Sequence, residues 1–278
     1  MDILSAVSET ALITLRAHVV ESEKGKPVIE DAVALVCLNR LQSLLPSDVR
    51  DRILNRKLPA TLTRHIALRV RKYDSYCRKF LEEYPDGLVV SLGCGFDTRY
   101  WRVSKEPWKY IEIDLPGVIE AKKKILDDIA TYRMIGFSVL QEDWIKIILS
   151  IQKEHVLFLA EGLFMYLPKN GVISLFKRLA QSFTKSEIMF EVVNEKYTKG
   201  LWKKIVASKM STLGTQAGSS YNFGVRDAKD IQAYGDNIKV VEEWSYFEDE
   251  DITPKILRLF RRFKLFSRTQ WTIRSTIG

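Results

Sequence analysis

The sequence is poor in the residues that build disulfide frameworks and metal centres: three cysteines and three histidines in 278 residues, neither set clustered. Cys37, Cys77 and Cys94 are odd in number, widely spaced and without a CxxC pair, which argues against both disulfides and a zinc site. His18, His65 and His155 are too scattered for a metal site, and a satisfied structural histidine is the simplest role for the first two. His155 precedes a strand, at the wrong end of a sheet for chemistry. No run approaches the roughly 20 apolar residues of a membrane span. The longest, residues 156–167, is broken by Glu161. Met1 and Asp2 are not followed by a basic and then an apolar segment, so no secretory signal is expected and the chain reads as cytoplasmic. Repeats and low-complexity tracts are also missing.

What remains is an ordinary soluble composition, 46% hydrophobic and 28% charged, in a chain long enough to bury a large core. The net charge of +8 admits nucleic acid, membrane surface or acidic small molecules as partners. The plainer reading is Lys and Arg on solvated helix faces. The densest basic cluster, residues 258–268, fits it: Ile256, Leu257, Phe260 and Phe263 fall at helical spacing opposite the basic residues. Neither a nucleic-acid nor a membrane partner is expected.

The chain is organised around residues 88–115. An apolar run, 88–92, stops at Gly93-Cys94-Gly95, and a second, 110–113, stops at Asp114. Strand, glycine turn, strand and terminal carboxylate describe a nucleotide-moiety site, in which glycines let the ligand approach and the acid holds ribose hydroxyls. A dinucleotide fingerprint wants a third small residue where Thr98 stands. Asp97, just before it, suits a ligand carrying an ammonium or sulfonium and opposes a pyrophosphate at a helix N-terminus. S-adenosyl-L-methionine is therefore favoured over NAD.

Residues 1–87 read as helical: one helix carries Leu12, Leu15 and Val19 behind caps at Ser5 or Ser8, a second runs over about 29–45, and a third holds 65–84. From residue 88 strands and helices alternate, with strands near 134–140, 156–160 and 188–193 and a final antiparallel pair, 239–246 and 267–273, around a helix. Residues 195–234 read as helix and loop with a Gly/Ser-rich tip at 214–220. The expected architecture is α/β: a helical cap, 1–87, on a Rossmann-like, mostly parallel core, 88–278. Ligands bind such sheets beyond the strand carboxyl ends. Asp97, Asp114, Asp143 and Glu161 each follow or end a strand there, a row of acids suited to adenosine hydroxyls and a cationic methionine end. Taken singly each could be a helix cap, Asp143 most of all.

Four motifs in order resemble the leucine carboxyl methyltransferase family, which includes bacterial tetracenomycin-type polyketide O-methyltransferases. SLGCGFDTRYWRV (91–103) is similar to its strand-turn motif, YIEIDLPGVIEAKK (110–123) to its second-strand motif and LAEGLFMYLP (159–168) to its fourth-strand motif. ALRVR (67–71) resembles the Arg element that precedes the glycines, and SETALITLRA (8–17) also has the family look. Ser91 and Cys94 depart from the usual Asn and Ala, both small enough to keep the turn. The likeness covers residues 5–195 and implies a seven-stranded class I methyltransferase sheet with S-adenosyl-L-methionine as cofactor. It further implies Arg69 on the cofactor carboxylate, with Arg71 a competitor, the turn at Gly93 and Gly95, and Asp114 on the ribose. Asp143 with Trp144 would meet the adenine, and Glu161 the amino end.

Three other functions compete: an NAD(P)-dependent oxidoreductase, a non-catalytic cofactor-binding module, and an RNA-directed methyltransferase supported only by charge. Asp97, the missing third glycine and the want of a Tyr/Lys acid pair oppose the first. Tyr166 could line a substrate pocket, and Tyr197 and Trp202 lie in the segment where a substrate is expected. A carboxylate acceptor, with pKa near ~4, is already a nucleophile at pH 7, whereas a phenol near ~10 gains from a base. With no histidine on the catalytic edge, Glu161 committed to cofactor, and a positive net charge that would steer an anion inward, the sequence favours a carboxylate over a phenolic hydroxyl, on a small molecule or peptide.

Overall fold

Apolar runs without polar alternation, each closed by a turn residue, become central strands buried on both faces. In the computed structural model, which describes residues 9–55, 57–104, 106–212 and 221–278, seven strands form one sheet, with two such runs, 88–92 and 156–160, side by side at its centre. Three long helices come first: α1 (Glu9–Ser22), α2 (Ala32–Leu44) and α3 (Ala60–Glu83). Then follow β1 (Leu88–Leu92), α4 (Arg99–Val103), β2 (Tyr110–Asp114), α5 (Pro116–Leu126) and β3 (Arg133–Gly136). The second half holds α6 (Asp143–Ser150), β4 (Val156–Ala160), α7 (Lys169–Ser182), β5 (Ser186–Val193), α8 (Gly200–Thr212), β6 (Ile238–Trp244) and β7 (Gln270–Ile277). The sheet order is β3-β2-β1-β4-β5-β7-β6, parallel except for β7, which runs antiparallel to both neighbours. Strand order reverses between β1 and β4, which opens a crevice at their carboxyl ends.

One face of the sheet carries Trp144, Phe164, Phe176 and Phe190. The other receives α3, whose Tyr73, Cys77 and Phe80 pack on Val89, Leu157 and Met189. Residues 60–83 are thus a flanking helix of the sheet as well as part of the helical N-terminal region. Outside them, α1 and α2 bury Leu12, Leu15, Leu38 and Leu41 against Ile66 and Val70 of α3 and Ile125 of α5. α2 begins at Ala32 because Asp31 caps it, its Oδ1 accepting from Ala34 N at 3.0 Å.

Several boundaries differ from the sequence reading. β3 ends at Gly136, and a turn closed by Gln141 N donating to Ser138 O (3.0 Å) fills the span expected to be strand. β7 starts at Gln270 because a short helix, Lys264–Ser267, precedes it. The basic cluster begins in a 3-10 helix, Lys255–Arg262, whose tighter pitch leaves Ile256 exposed, with Phe263 just beyond it exposed too, while Leu257 and Phe260 pack near Phe247. The expected caps at Ser5 and Ser8 and the tip at 214–220 lie outside the described residues. Among the described residues no helix is long and apolar enough to cross a membrane.

Candidate active site

The glycine turn takes its shape from two left-handed residues, Gly93 (φ 65°) and Gly95 (φ 50°). A Cβ on Gly93 would meet Leu163 Cδ1 at 2.6 Å, so backbone and the start of the post-β4 loop lie in contact there. Gly95 N donates to Asp114 Oδ2 at 2.7 Å, and Leu115 N donates to Oδ1 at 2.7 Å. The second-strand carboxylate is thereby fixed against the first-strand turn. Burial raises the Asp114 pKa, with the two amides opposing.

These groups line a cavity of about 370 Å³ at the crevice, within the ordinary range of small-ligand sites. Leu115, Val118 and Val139 give it an apolar wall beside Asp114. From α1, Thr10, Ala11, Thr14, Leu15 and His18 close one side. Of the residues expected from sequence, Arg69, Gly93, Gly95, Asp97, Asp114 and Glu161 are brought together here. Arg71 is not: its Nη1 and Nη2 donate to Asp251 (2.6 Å) and Asp249 (2.7 Å) outside the cavity. Asp143 and Trp144 are also absent from the lining. Asp143 heads α6 with its side chain exposed, and Trp144 is fully buried in the core, its Nε1 donating to Val139 O at 3.1 Å. Because β3 stops early, Ser138 and Val139 reach the cavity in their place.

The polar floor is a network of buried ions. Arg99, 1% exposed, donates from Nε to Asp74 (2.8 Å), from Nη1 to Asp97 and from Nη2 to Glu161. Arg102 donates from Nε to Asp74 (2.6 Å) and from Nη2 to Asp97 (3.1 Å), and it also reaches Asp31. Arg69 donates from Nε to Glu161 (2.7 Å) and from Nη1 to Glu191 (2.8 Å). Burial would raise both glutamates, yet the pair separates. Arg69 and Arg99 together hold Glu161 below the usual range, while Glu191, facing one arginine and the negative charge of Glu161, stays above it. Burial opposes ionisation of Asp97 too, but Arg99 and Arg102 hold its pKa well below normal. Asp97 is therefore an arginine-neutralised anchor, with less free charge than its place beside the turn implied.

Two cavity residues had been set aside or overlooked. His18 is bonded through Nδ1 to Asp31 Oδ2 (2.9 Å), as expected for a satisfied histidine, but it also lines the cavity, and its buried Nε2 has no hydrogen-bond partner among the described residues. Glu191 was missed, although an acid between Phe190 and Val192 in the apolar inner part of a strand, 188–193, is itself a signal, since a charge there must be paired. Tyr166 lines the cavity with Tyr221, their rings 5.7 Å apart and T-shaped. Among the described residues no group of His, Cys, Asp or Glu is arranged to hold a metal ion.

A family model described as leucine carboxyl methyltransferase matches residues 11–180, more than half the chain and all the segments that build the cavity floor except β5 and β7. The chain belongs to the leucine carboxyl methyltransferase family. It is 29% identical over 247 residues to the tetracenomycin polyketide synthesis O-methyltransferase TcmP of Streptomyces glaucescens, covering 88% of this chain and 85% of that one. It is 26% identical to the S-adenosyl-L-methionine-dependent methyltransferase dpfgK of Gibberella zeae, covering 88% and 84%. A probable leucine carboxyl methyltransferase 1 of Caenorhabditis briggsae is 30% identical over 147 residues, 41% of this chain and 44% of that one. In this family member the residues after 180 supply Glu191, Tyr221 and Gln270 to the cavity, the last two from beyond residue 195, where the sequence likeness to the family is weakest.

Proposed function

We propose that the cavity binds S-adenosyl-L-methionine and that the protein methylates an oxygen of a small-molecule or peptide acceptor. The observation that carries this reading is the Gly95–Asp114 lock, which sets a carboxylate with spare lone pairs at the cavity edge, beside an apolar wall and a backbone turn. The donor set fits the cofactor part by part. Asp114 would accept the ribose hydroxyls, Leu115, Val118 and Val139 would enclose the adenine, and Gly93 and Gly95 would let the chain approach closely. Glu161, held ionised, would meet the ammonium, and Arg69 has donors left for the carboxylate beyond those given to Glu161 and Glu191. When bound, the cofactor supplies an electrophilic methyl group. The protein's share is to orient the acceptor oxygen in line with it and to keep water out, with α1 acting as the lid.

The sequence argument for a carboxylate acceptor rested on long-range steering by the net charge and, for its chemistry, on there being no base near the cofactor; it is the second ground that would separate the two acceptors at the site. With His18 and Glu191 on the cavity wall, that ground no longer separates a carboxylate from a phenol. Asp114→Ala should weaken binding of S-adenosylhomocysteine by roughly 1–3 kcal/mol in calorimetry, since it strands hydroxyls and the Gly95 amide without their acceptor. Unchanged affinity would remove Asp114 from the site.

A further inference from the structure

We infer that the acceptor is a neutral aromatic hydroxyl and that Glu191 takes its proton. The inference rests on the cofactor reading above and differs from the carboxyl acceptor in the family's description. It starts from the charges on the cavity wall. Arg69 and Arg99 stand against Asp97, Asp114, Glu161 and Glu191, and among the described residues no other Lys or Arg lines the cavity. Arg99 has all three of its donor nitrogens on carboxylates, Asp74, Asp97 and Glu161. Arg69 already serves Glu161 and Glu191, and its remaining donors would be taken by the cofactor carboxylate. The cofactor brings an ammonium, a sulfonium and that carboxylate, so it adds one net positive charge to a wall that is two short. An acceptor carboxylate would enter a low-dielectric site with no free protein cation to pair it and two glutamates beside it, leaving only the sulfonium to offset the cost of its burial. A neutral hydroxyl meets no such penalty.

A hydroxyl must lose its proton, and Glu191 is placed to receive it. It is 2% exposed on β5 and lines the same cavity as Tyr166, Tyr221 and Gln270. The charged and titratable groups around it are Arg69 and Tyr73 from α3, Glu161 after β4, and Tyr166 and Tyr221 from the two loops that face it. Its pKa lies above the ordinary carboxylate value while that of Glu161 lies below, the divergence that assigns a proton acceptor and an electrostatic anchor to two neighbouring acids. The paired tyrosines with Leu163, Met165 and Leu167 make an aromatic and apolar wall that suits a planar ring. A phenol, at about 10, is within reach of a carboxylate base, whereas an aliphatic alcohol is far less acidic. In the transfer, the acceptor oxygen forms a bond to the methyl carbon as the sulfur–carbon bond breaks with its electron pair left on sulfur. The hydroxyl proton passes to Glu191, and the products are an aryl methyl ether and the neutral thioether.

The test presents the full-length protein and labelled S-adenosyl-L-methionine with matched aromatic pairs differing only in hydroxyl or carboxylate, such as 2-naphthol and 2-naphthoic acid, across one- to three-ring scaffolds. Transfer should go to hydroxyl members, and the label should survive mild alkali. Glu191→Gln should lower kcat by about 100-fold or more with KM little changed. It should regain rate as pH rises toward the phenol pKa, while binding S-adenosylhomocysteine as the wild type does. Faster transfer to the carboxylate member of any pair, label released as methanol by alkali, no transfer to any hydroxyl, or a Glu191→Gln rate equal to wild type would overturn the inference. In each of those cases retained S-adenosylhomocysteine binding leaves the cofactor reading standing. Loss of that binding in the wild type would instead refute the cofactor reading itself.

Discussion

Arg99→Ala should cost about 3–5 kcal/mol of folding stability, a large part of the 5–15 typical of a domain. The guanidinium is the hub on which Asp74, Asp97 and Glu161 converge, and removing it leaves buried carboxylates short of a cation. Arg99→Lys should recover little, because a point-like ammonium cannot serve three acceptors in a fixed fork. The pH dependence identifies the cause. In the wild type, Asp97 and Glu161 have folded-state pKa values below normal, so they contribute stability above the unfolded carboxylate range and lose it as pH falls through the folded values. Without Arg99 those values rise and the contribution shrinks. The destabilisation should therefore be greatest near pH 7 and diminish as pH falls toward about 4, because the stranded acids, their pKa values raised, take up protons in the folded variant on the way. Urea unfolding of both proteins at pH 7 and pH 4 measures it. An equal loss at the two pH values would mean that packing, not charge, explains the effect.

The second large effect is expected one layer behind the turn. Lys122 on α5 and Glu112 on β2 are both 0% exposed and pair at 2.7 Å, and the ammonium also donates to the carbonyl of Asp97. Burial alone would discharge the lysine, but Glu112 holds its pKa above normal; burial raises that of Glu112 in turn, with Lys122 opposing. Lys122→Met should cost about 3–5 kcal/mol because an uncompensated carboxylate remains in the core. Adding Glu112→Gln should restore most of it, since the amide is neutral and still accepts from Tyr132 OH, now at 3.0 Å from Glu112 Oε2. Chemical denaturation of the two singles and the double closes the cycle. A double variant as unstable as Lys122→Met would show that the bond to the Asp97 carbonyl, rather than the charge pair, supports the turn.

These two predictions also mark what could be read from the sequence. β1, β2 and β4 were legible because each is an apolar run stopped by glycine or an acid at the sheet's carboxyl edge, so position along the chain fixed position in space. Asp114 and Glu161 inherit that certainty. Asp143 did not, because its strand ends at Gly136 and six residues of turn intervene, so it heads an exposed helix instead of the cavity. Trp144 next to it has an apolar face toward β4, a tertiary fact that spacing does not encode. The arginines after the glycine turn are one helical turn apart, but only their partners, drawn from α3, the α2 cap and β4, reveal that they neutralise Asp97. Pairings over 25 to 92 residues, such as Arg99–Asp74 and Arg69–Glu161, have no local signature. Glu191 had one, an acid inside a buried strand, which marks a charge that must be paired.

The central claim is that the crevice between β1 and β4 takes S-adenosyl-L-methionine. Isothermal titration calorimetry of the wild-type protein with S-adenosylhomocysteine, and in parallel with NAD, tests it most directly. The account predicts saturable one-to-one binding of S-adenosylhomocysteine and no comparable heat from NAD. Tight binding of NAD without binding of S-adenosylhomocysteine would contradict it.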